Sequence, residues 1–218
     1  MNKEKCPFCK LDLIKMVCPG CNREWENYEG QMISKVRKVK FKKKPEIGDT
    51  ISLGEILGMN NGAMFSQDRK YRYALWRVWD KDKPLVMFIG LNPSTANETT
   101  NDQTIRRVQR FAFDWGFGGV YMMNLFDQVT SDPKKLEMPS ETPPYTPSRF
   151  DHNDLWLNAI AEKCQRIIFA WGSFKEAKEK GKRAANKFGG YALGINKDGS
   201  PKHPLYVKKD VKPEIYIP

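Results

Sequence analysis

The sequence predicts an α/β protein, a three-layer arrangement in which a mostly parallel central sheet is covered by helices on both faces, with a small cysteine-bearing appendage in front. Three observations predict it. Apolar strand-like runs alternate with helical stretches through most of the chain, which implies parallel strands returned by helices. Four cysteines are concentrated in the first 21 residues. The 218 residues are 40% hydrophobic and 12% aromatic, enough apolar mass to bury a core and to exclude a wholly disordered chain.

The appendage is read from Cys6-Pro7-Phe8-Cys9 and Cys18-Pro19-Gly20-Cys21. Each Cys-x-x-C puts two thiolates on one tight turn, and two such turns facing each other complete the tetrahedral four-sulfur cage that Zn²⁺ prefers. Two disulfides are the competing reading. Residues 1–5 carry no signal-peptide core, so the chain is expected in the reducing cytoplasm, which favours zinc. A closed four-thiolate site is structural, and its binding energy would fold a segment too short for a core of its own. Residues 1–30 are therefore assigned to a zinc ribbon, with Trp25 packed on it. No catalytic cofactor is expected.

Residues 31–49 read as a basic linker. Positions 35–44 hold seven positive charges in ten residues, ending in Lys42, Lys43 and Lys44. Such a strip attracts phosphates, although its alternation with Val36, Val39 and Phe41 also suits a short solvated strand. The chain as a whole carries 37 Lys and Arg against 26 Asp and Glu, a formal charge of +11, which favours a polyanionic partner, a class that includes DNA. The longest apolar runs, such as residues 85–89, fall far short of the roughly 18 residues of a membrane span.

The body is assigned to residues 50–218. Aromatic-rich residues 71–79 read as a strand closed by Asp80-Lys81-Asp82-Lys83-Pro84. Residues 85–89 form a continuous apolar strand ending in Gly90, and residues 102–115 a helix with Ile105, Val108, Ala112 and Trp115 on one side. A strand over 120–123 follows, then a proline-rich loop over 132–148 that could wall a pocket. A helix over 151–163, a strand over 166–171, a helix over 173–187 and an apolar stretch at 191–193 complete the pattern. Cys164 sits in an apolar stretch and reads as a buried thiol. In a parallel sheet the ligand site lies beyond the carboxyl ends of the strands. Those ends deliver Gly90-Leu91-Asn92-Pro93-Ser94, then Asn124, then Gly172-Ser173, and a late loop adds His203-Pro204-Leu205-Tyr206.

This ordered set resembles the uracil-DNA glycosylase superfamily over roughly residues 70–210. Gly90-Leu91-Asn92-Pro93-Ser94 resembles the Asn version of the family's first motif, Asn124 falls where its base-reading Asn would be, and His203-Pro204-Leu205 resembles its late motif. The same segments also resemble an uncharacterised bacterial and phage domain family. Ser94 departs from the Gly or Tyr usual in the first motif, and the Ser-Pro that commonly follows His-Pro is missing. The resemblance implies a monofunctional glycosylase that leaves an abasic site at uracil or a mispaired or modified pyrimidine, in repair or in defence against phage.

By that resemblance Asn92 orients the attacking water and Asn124 reads the pyrimidine edge with an amide that donates and accepts. His203 donates to the base carbonyl where negative charge develops, and Leu205 or Tyr206 fills the gap left by the extruded base. Asp102 is either a second water-activating group or an ordinary helix cap. Gly90, Leu91, Pro93 and Ser94 would line the base pocket, with Phe111 as a stacking face unless it belongs to the core. Arg106 and Arg107, with Arg110 and Lys175, are candidate phosphate contacts or solvated helix positions. Two other readings are a noncatalytic nucleic-acid-binding module and an enzyme of free nucleosides or nucleotides. The chain is expected to be monomeric. A P-loop, a hydrolase elbow and a dinucleotide fingerprint are all lacking in the sequence, which argues against nucleotide hydrolysis and redox chemistry.

Overall fold

A computed structural model describes residues 60–137 and 149–218, together with the strands β1 (Trp25–Tyr28) and β2 (Gln31–Ser34). These two strands pair antiparallel, Trp25 opposite Ser34 and Tyr28 opposite Gln31. Cys6, Cys9, Cys18 and Cys21, Lys42, Lys43 and Lys44, and residues 138–148 of the proline-rich loop lie outside the described residues.

Among the described residues the body is an α/β unit built on a seven-stranded mixed sheet with three helices. Its strands are β3 (Asn61–Phe65), β4 (Arg72–Val78), β5 (Leu85–Gly90), β6 (Gly119–Asn124), β7 (Arg166–Phe169), β8 (Tyr191–Ala192) and β9 (Glu214–Ile215). The helices are α1 (Gln103–Asp114), α2 (Arg149–Ala161) and α3 (Lys178–Phe188). The spatial order is β3-β4-β6-β5-β7-β8-β9. The four strands from β6 to β8 run parallel, whereas β3-β4, β4-β6 and β8-β9 are antiparallel. The expected mostly parallel sheet is thus a mixed one, for a simple reason. Successive strands among β5, β6, β7 and β8 are joined through a helix, and a crossover of that kind returns the chain parallel. The flanking strands have no such helix and add in the opposite sense.

The apolar runs of β5 and β7 alternate between two cores, as strands buried on both faces must. On one face Val86 and Phe88 meet Ile105, Val108, Phe111 and Ala112 of α1. On the other, Met87 and Ile89 meet Trp156, Leu157 and Ile160 of α2 and Ala184, Ala185 and Phe188 of α3. Helix α1 forms because Ile105, Val108 and Ala112 recur at helical spacing, and it starts where Asp102 Oδ1 accepts from Ile105 N at 2.8 Å. It stops at Gly116, whose φ of 83° is a left-handed conformation that favours glycine. The helix expected from residue 173 begins later. Phe174 is extended, a 3-10 turn occupies Lys175–Ala177, and α3 follows.

Strand order sets the place of the site. From β5 the chain leaves through α1 toward β6, and from β7 it leaves through α3 toward β8. These neighbours therefore part in opposite directions, and a crevice opens beyond their carboxyl ends. Among the described residues no helix is long and apolar enough to cross a membrane.

Candidate functional site

A cavity of about 350 Å³ occupies that crevice. Gly90, Leu91, Asn92 and Ser94 reach it from the end of β5, Asn124 from β6, Trp171, Gly172, Ser173 and Phe174 from β7, and Asp102 and Thr104 from the start of α1. His203 and Tyr206 close it from the late loop. The structure thus brings together Asn92, Asp102, Asn124 and His203, and with them Gly90, Leu91, Ser94 and Tyr206.

The loops after β5 and β6 are fastened to each other. Leu125 N donates to Gly90 O and Phe126 N to Leu91 O, each at 2.9 Å, so ladder-like pairing continues beyond the strands. Thr130 N adds a bond to Pro93 O at 3.0 Å. Within this frame Asn92 Nδ2 donates to Thr130 O at 2.7 Å and Pro93 O at 2.9 Å. Two carbonyl acceptors fix which end of the amide is nitrogen and use both of its hydrogens. No described residue donates to Asn92 Oδ1, which leaves an oriented acceptor on a cavity-lining side chain.

Asn124 is in a different state. It is 2% exposed, its Nδ2 donates to Met123 O at 2.9 Å, and its Oδ1 is buried without a partner. A buried carbonyl left unsatisfied costs on the order of 1–3 kcal/mol. Its backbone is held by Asn153 of α2, whose Nδ2 donates to Asn124 O and Leu125 O at 3.0 and 3.1 Å. Asn124 thus offers one N–H and one carbonyl oxygen, the complement of a cyclic amide edge. Gly90 makes room beside it, since a Cβ there would stand 2.5 Å from Met122 Cε.

His203 opens the 3-10 turn Pro204–Tyr206, and its Nδ1 accepts from Leu205 N at 3.3 Å. With Nδ1 accepting, the neutral ring carries its proton on Nε2 and is a donor. Burial pulls His203 below the ordinary imidazole value while the Asp102 carboxylate opposes the shift, so the ring is neutral near neutral pH. Arg107 ties this turn to α1 through Nη2 to Val207 O at 2.6 Å. On the other side Gly172, at φ 75°, donates its N–H to Pro201 O at 3.0 Å.

Several expected residues stand elsewhere. Phe111 is 1% exposed and belongs to the core under Trp115, with ring centroids 5.3 Å apart, so it is not a base-stacking face. Pro93 is buried and does not line the cavity; its carbonyl serves as scaffold for Asn92 and Thr130. Asp102 caps α1 through Oδ1 and also lines the cavity, so both of its expected roles have a geometric basis. Arg106 is exposed and donates to Asn101 O at 2.6 Å, and Arg107 is a strut to the late loop. Leu205 is 39% exposed and Tyr206 81% exposed.

Trp171, Phe174 and Arg72 are among the lining residues that escaped the sequence reading. Trp171 and Phe174 supply the aromatic surface that Phe111 does not. Trp171 is pressed into place by Gly181 of α3, where a Cβ would come within 2.8 Å of the indole. Arg72 is 4% exposed and donates through Nη1 to Ala96 O at 2.9 Å. Burial pushes its guanidinium down to about 10, with Asp102 opposing. Arginines inside a largely apolar and aromatic strand were the available signal. No group of three or more metal-ligating side chains occurs among the described residues.

No curated protein and no solved structure matches the chain. The model of one family, described as "Protein of unknown function (DUF1643)", matches residues 72–205, which include the central strands and every cavity-lining residue except Tyr206, and the chain belongs to that family.

Proposed function

We propose that the chain is a monofunctional DNA glycosylase, hydrolysing the N-glycosidic bond of uracil or of a mispaired or modified pyrimidine in DNA to leave an abasic site, in repair or in defence against phage. The observation that carries this reading is Asn124, which lines a cavity of about 350 Å³ and has a buried amide oxygen without a partner. A pyrimidine presents the matching donor and acceptor on one edge. Asn92 Oδ1 holds a water for attack on the sugar carbon, and Asp102, with one oxygen engaged in its cap, is the second group able to take part. His203 donates from Nε2 to the base carbonyl as charge develops. Trp171 and Phe174 stack on the flipped base, and Leu205 and Tyr206 take its place in the duplex.

The arrangement of helices on both faces of a sheet with parallel central strands supports the uracil-DNA glycosylase-like layering. In this reading the zinc ribbon of Cys6, Cys9, Cys18 and Cys21 and the strip at Lys42, Lys43 and Lys44 form the arm that holds DNA. The test is abasic-site formation on oligonucleotides, single- and double-stranded, carrying uracil, mispaired thymine, or hydroxymethylated or glucosylated pyrimidines. Asn92→Ala and His203→Ala should each slow excision by about a hundredfold or more. Tight, salt-sensitive binding with no excision from any substrate would leave a noncatalytic binding module instead.

A further inference from the structure

Among the described residues lining the cavity, Arg72 is the sole arginine, and no lysine stands with it. Its surroundings do not explain it as a structural residue. One N–H reaches Ala96 O, and no described acceptor takes the others. Asp102 attracts it through space, but no carboxylate of the described residues comes within ion-pair distance, and Asp102 Oδ1 is already engaged by Ile105 N. The antiparallel register Leu75↔Met122 brings Arg72 beside the segment that follows Asn124, where Arg72 N donates to Asp127 O at 2.8 Å. A 4% exposed guanidinium and a 2% exposed amide, both with unused hydrogen-bonding groups, therefore share one cavity.

The geometry assigns to Arg72 a catalytic role: it receives the negative charge of the departing base. The inference rests on the glycosylase reading for the identity of the leaving group. In the step concerned, the C1′–N bond breaks and its electron pair stays on the ring, spreading to the ring oxygens. Water bonds through its oxygen to C1′ and loses a proton to solvent, and the free base later takes a proton from solvent. The guanidinium acts here through its charge and not as a proton donor, and a positive charge fixed beside the ring stabilises the anion as it forms. The cavity thus favours bases that leave as anions and needs no general acid.

The test uses the full chain as wild type, Arg72→Gln and Arg72→Lys, the last keeping the charge without the planar fork. Calorimetric titration compares uracil with 5-nitrouracil, whose ring is already an anion in mildly alkaline buffer, and with inorganic phosphate. Excision from uracil oligonucleotides is followed in parallel. Wild type should bind the ring anion at least about tenfold more tightly than uracil, as expected for a charge-assisted bond. Arg72→Gln should lose that preference, and Arg72→Lys should retain part of it. Equal binding of the two rings, or a preference that survives Arg72→Gln, overturns the assignment. Phosphate binding that depends on Arg72 without a ring preference overturns it too, and makes the residue a phosphate contact. Excision unchanged in Arg72→Gln removes the leaving-group role while the glycosylase reading stands. A ring preference that follows Arg72 with no excision from any oligonucleotide sinks the glycosylase reading and leaves an anion site. Should Arg72→Gln fail to fold, the same comparisons are made with Arg72→Lys.

Discussion

The two ends of β4 each hold an arginine that is 4% exposed, yet the two are built for opposite purposes. At the far end Arg77 is satisfied all round. Its Nε donates to Asn101 Oδ1 at 2.8 Å, Nη1 to Trp76 O at 2.8 Å, and Nη2 to Asn97 O at 2.6 Å. It therefore hangs the 97–101 loop, and with it the start of α1, on the sheet. At the near end Arg72 has one carbonyl and an open cavity. Burial alone does not distinguish a structural charge from a functional one. The number of acceptors supplied by the protein does, because a buried group with unused bonds has them left for something else.

The largest effect that would sharpen this contrast is on stability. Arg77→Met strands the carbonyls it now serves and should cost about 3 kcal/mol or more, seen as a melting temperature lower by roughly 6–12 °C. Arg72→Met removes a desolvated charge and a single hydrogen bond, so urea unfolding should place it within about 1 kcal/mol of wild type. Equal destabilisation by the two substitutions would break the comparison and make Arg72 a strut as well. The smallest effect is a pH dependence at His203. Its folded pKa lies below the unfolded value of 6.5, so the unfolded chain binds more protons as the solution is acidified. The stability due to the neutral ring is complete above about pH 6.5 and is lost as pH falls below it. His203→Gln should remove that component from the acid side of a pH-melting profile and leave the alkaline side parallel to wild type.

Much of the fold was legible because burial on both faces writes a continuous apolar run. Strands at residues 85–89, 120–123 and 166–171 could be read for that reason, and α1 from its cap and spacing. The edges were not legible. Strand β3 contains Gly62, and β9 is Glu214–Ile215, two residues with no pattern to detect. Their pairing depends on tertiary neighbours, Trp76 filling the space over Gly62 and Tyr191 lying opposite Ile215. In the site, Asn92, Asn124 and His203 were legible because apolar packing does not call for a polar residue at the end of a buried strand or beside a proline-bounded turn. Phe111 misled because a helix buries one face, and Phe111 shares that face with Ile105 and Val108. Arg72 was passed over inside the alternation of Tyr71, Tyr73 and Trp76, where only the packing reveals which charge goes unanswered.

Tyr206 is 81% exposed on a turn fastened from both flanks, by Arg107 to α1 and by the Gly172–Pro201 bond to the end of β7. An aromatic ring on a loose loop would have to be immobilised whenever something docked against it. Here the immobilisation has already happened during folding, so a partner arriving at the mouth of the cavity meets a stiff protruding ring, and little chain entropy remains to be lost at that moment. The same stiffness carries a liability. Removing Arg107 should leave the core standing while Tyr206 and His203 drift together, so a lesion on a helix would be felt at the mouth of the cavity.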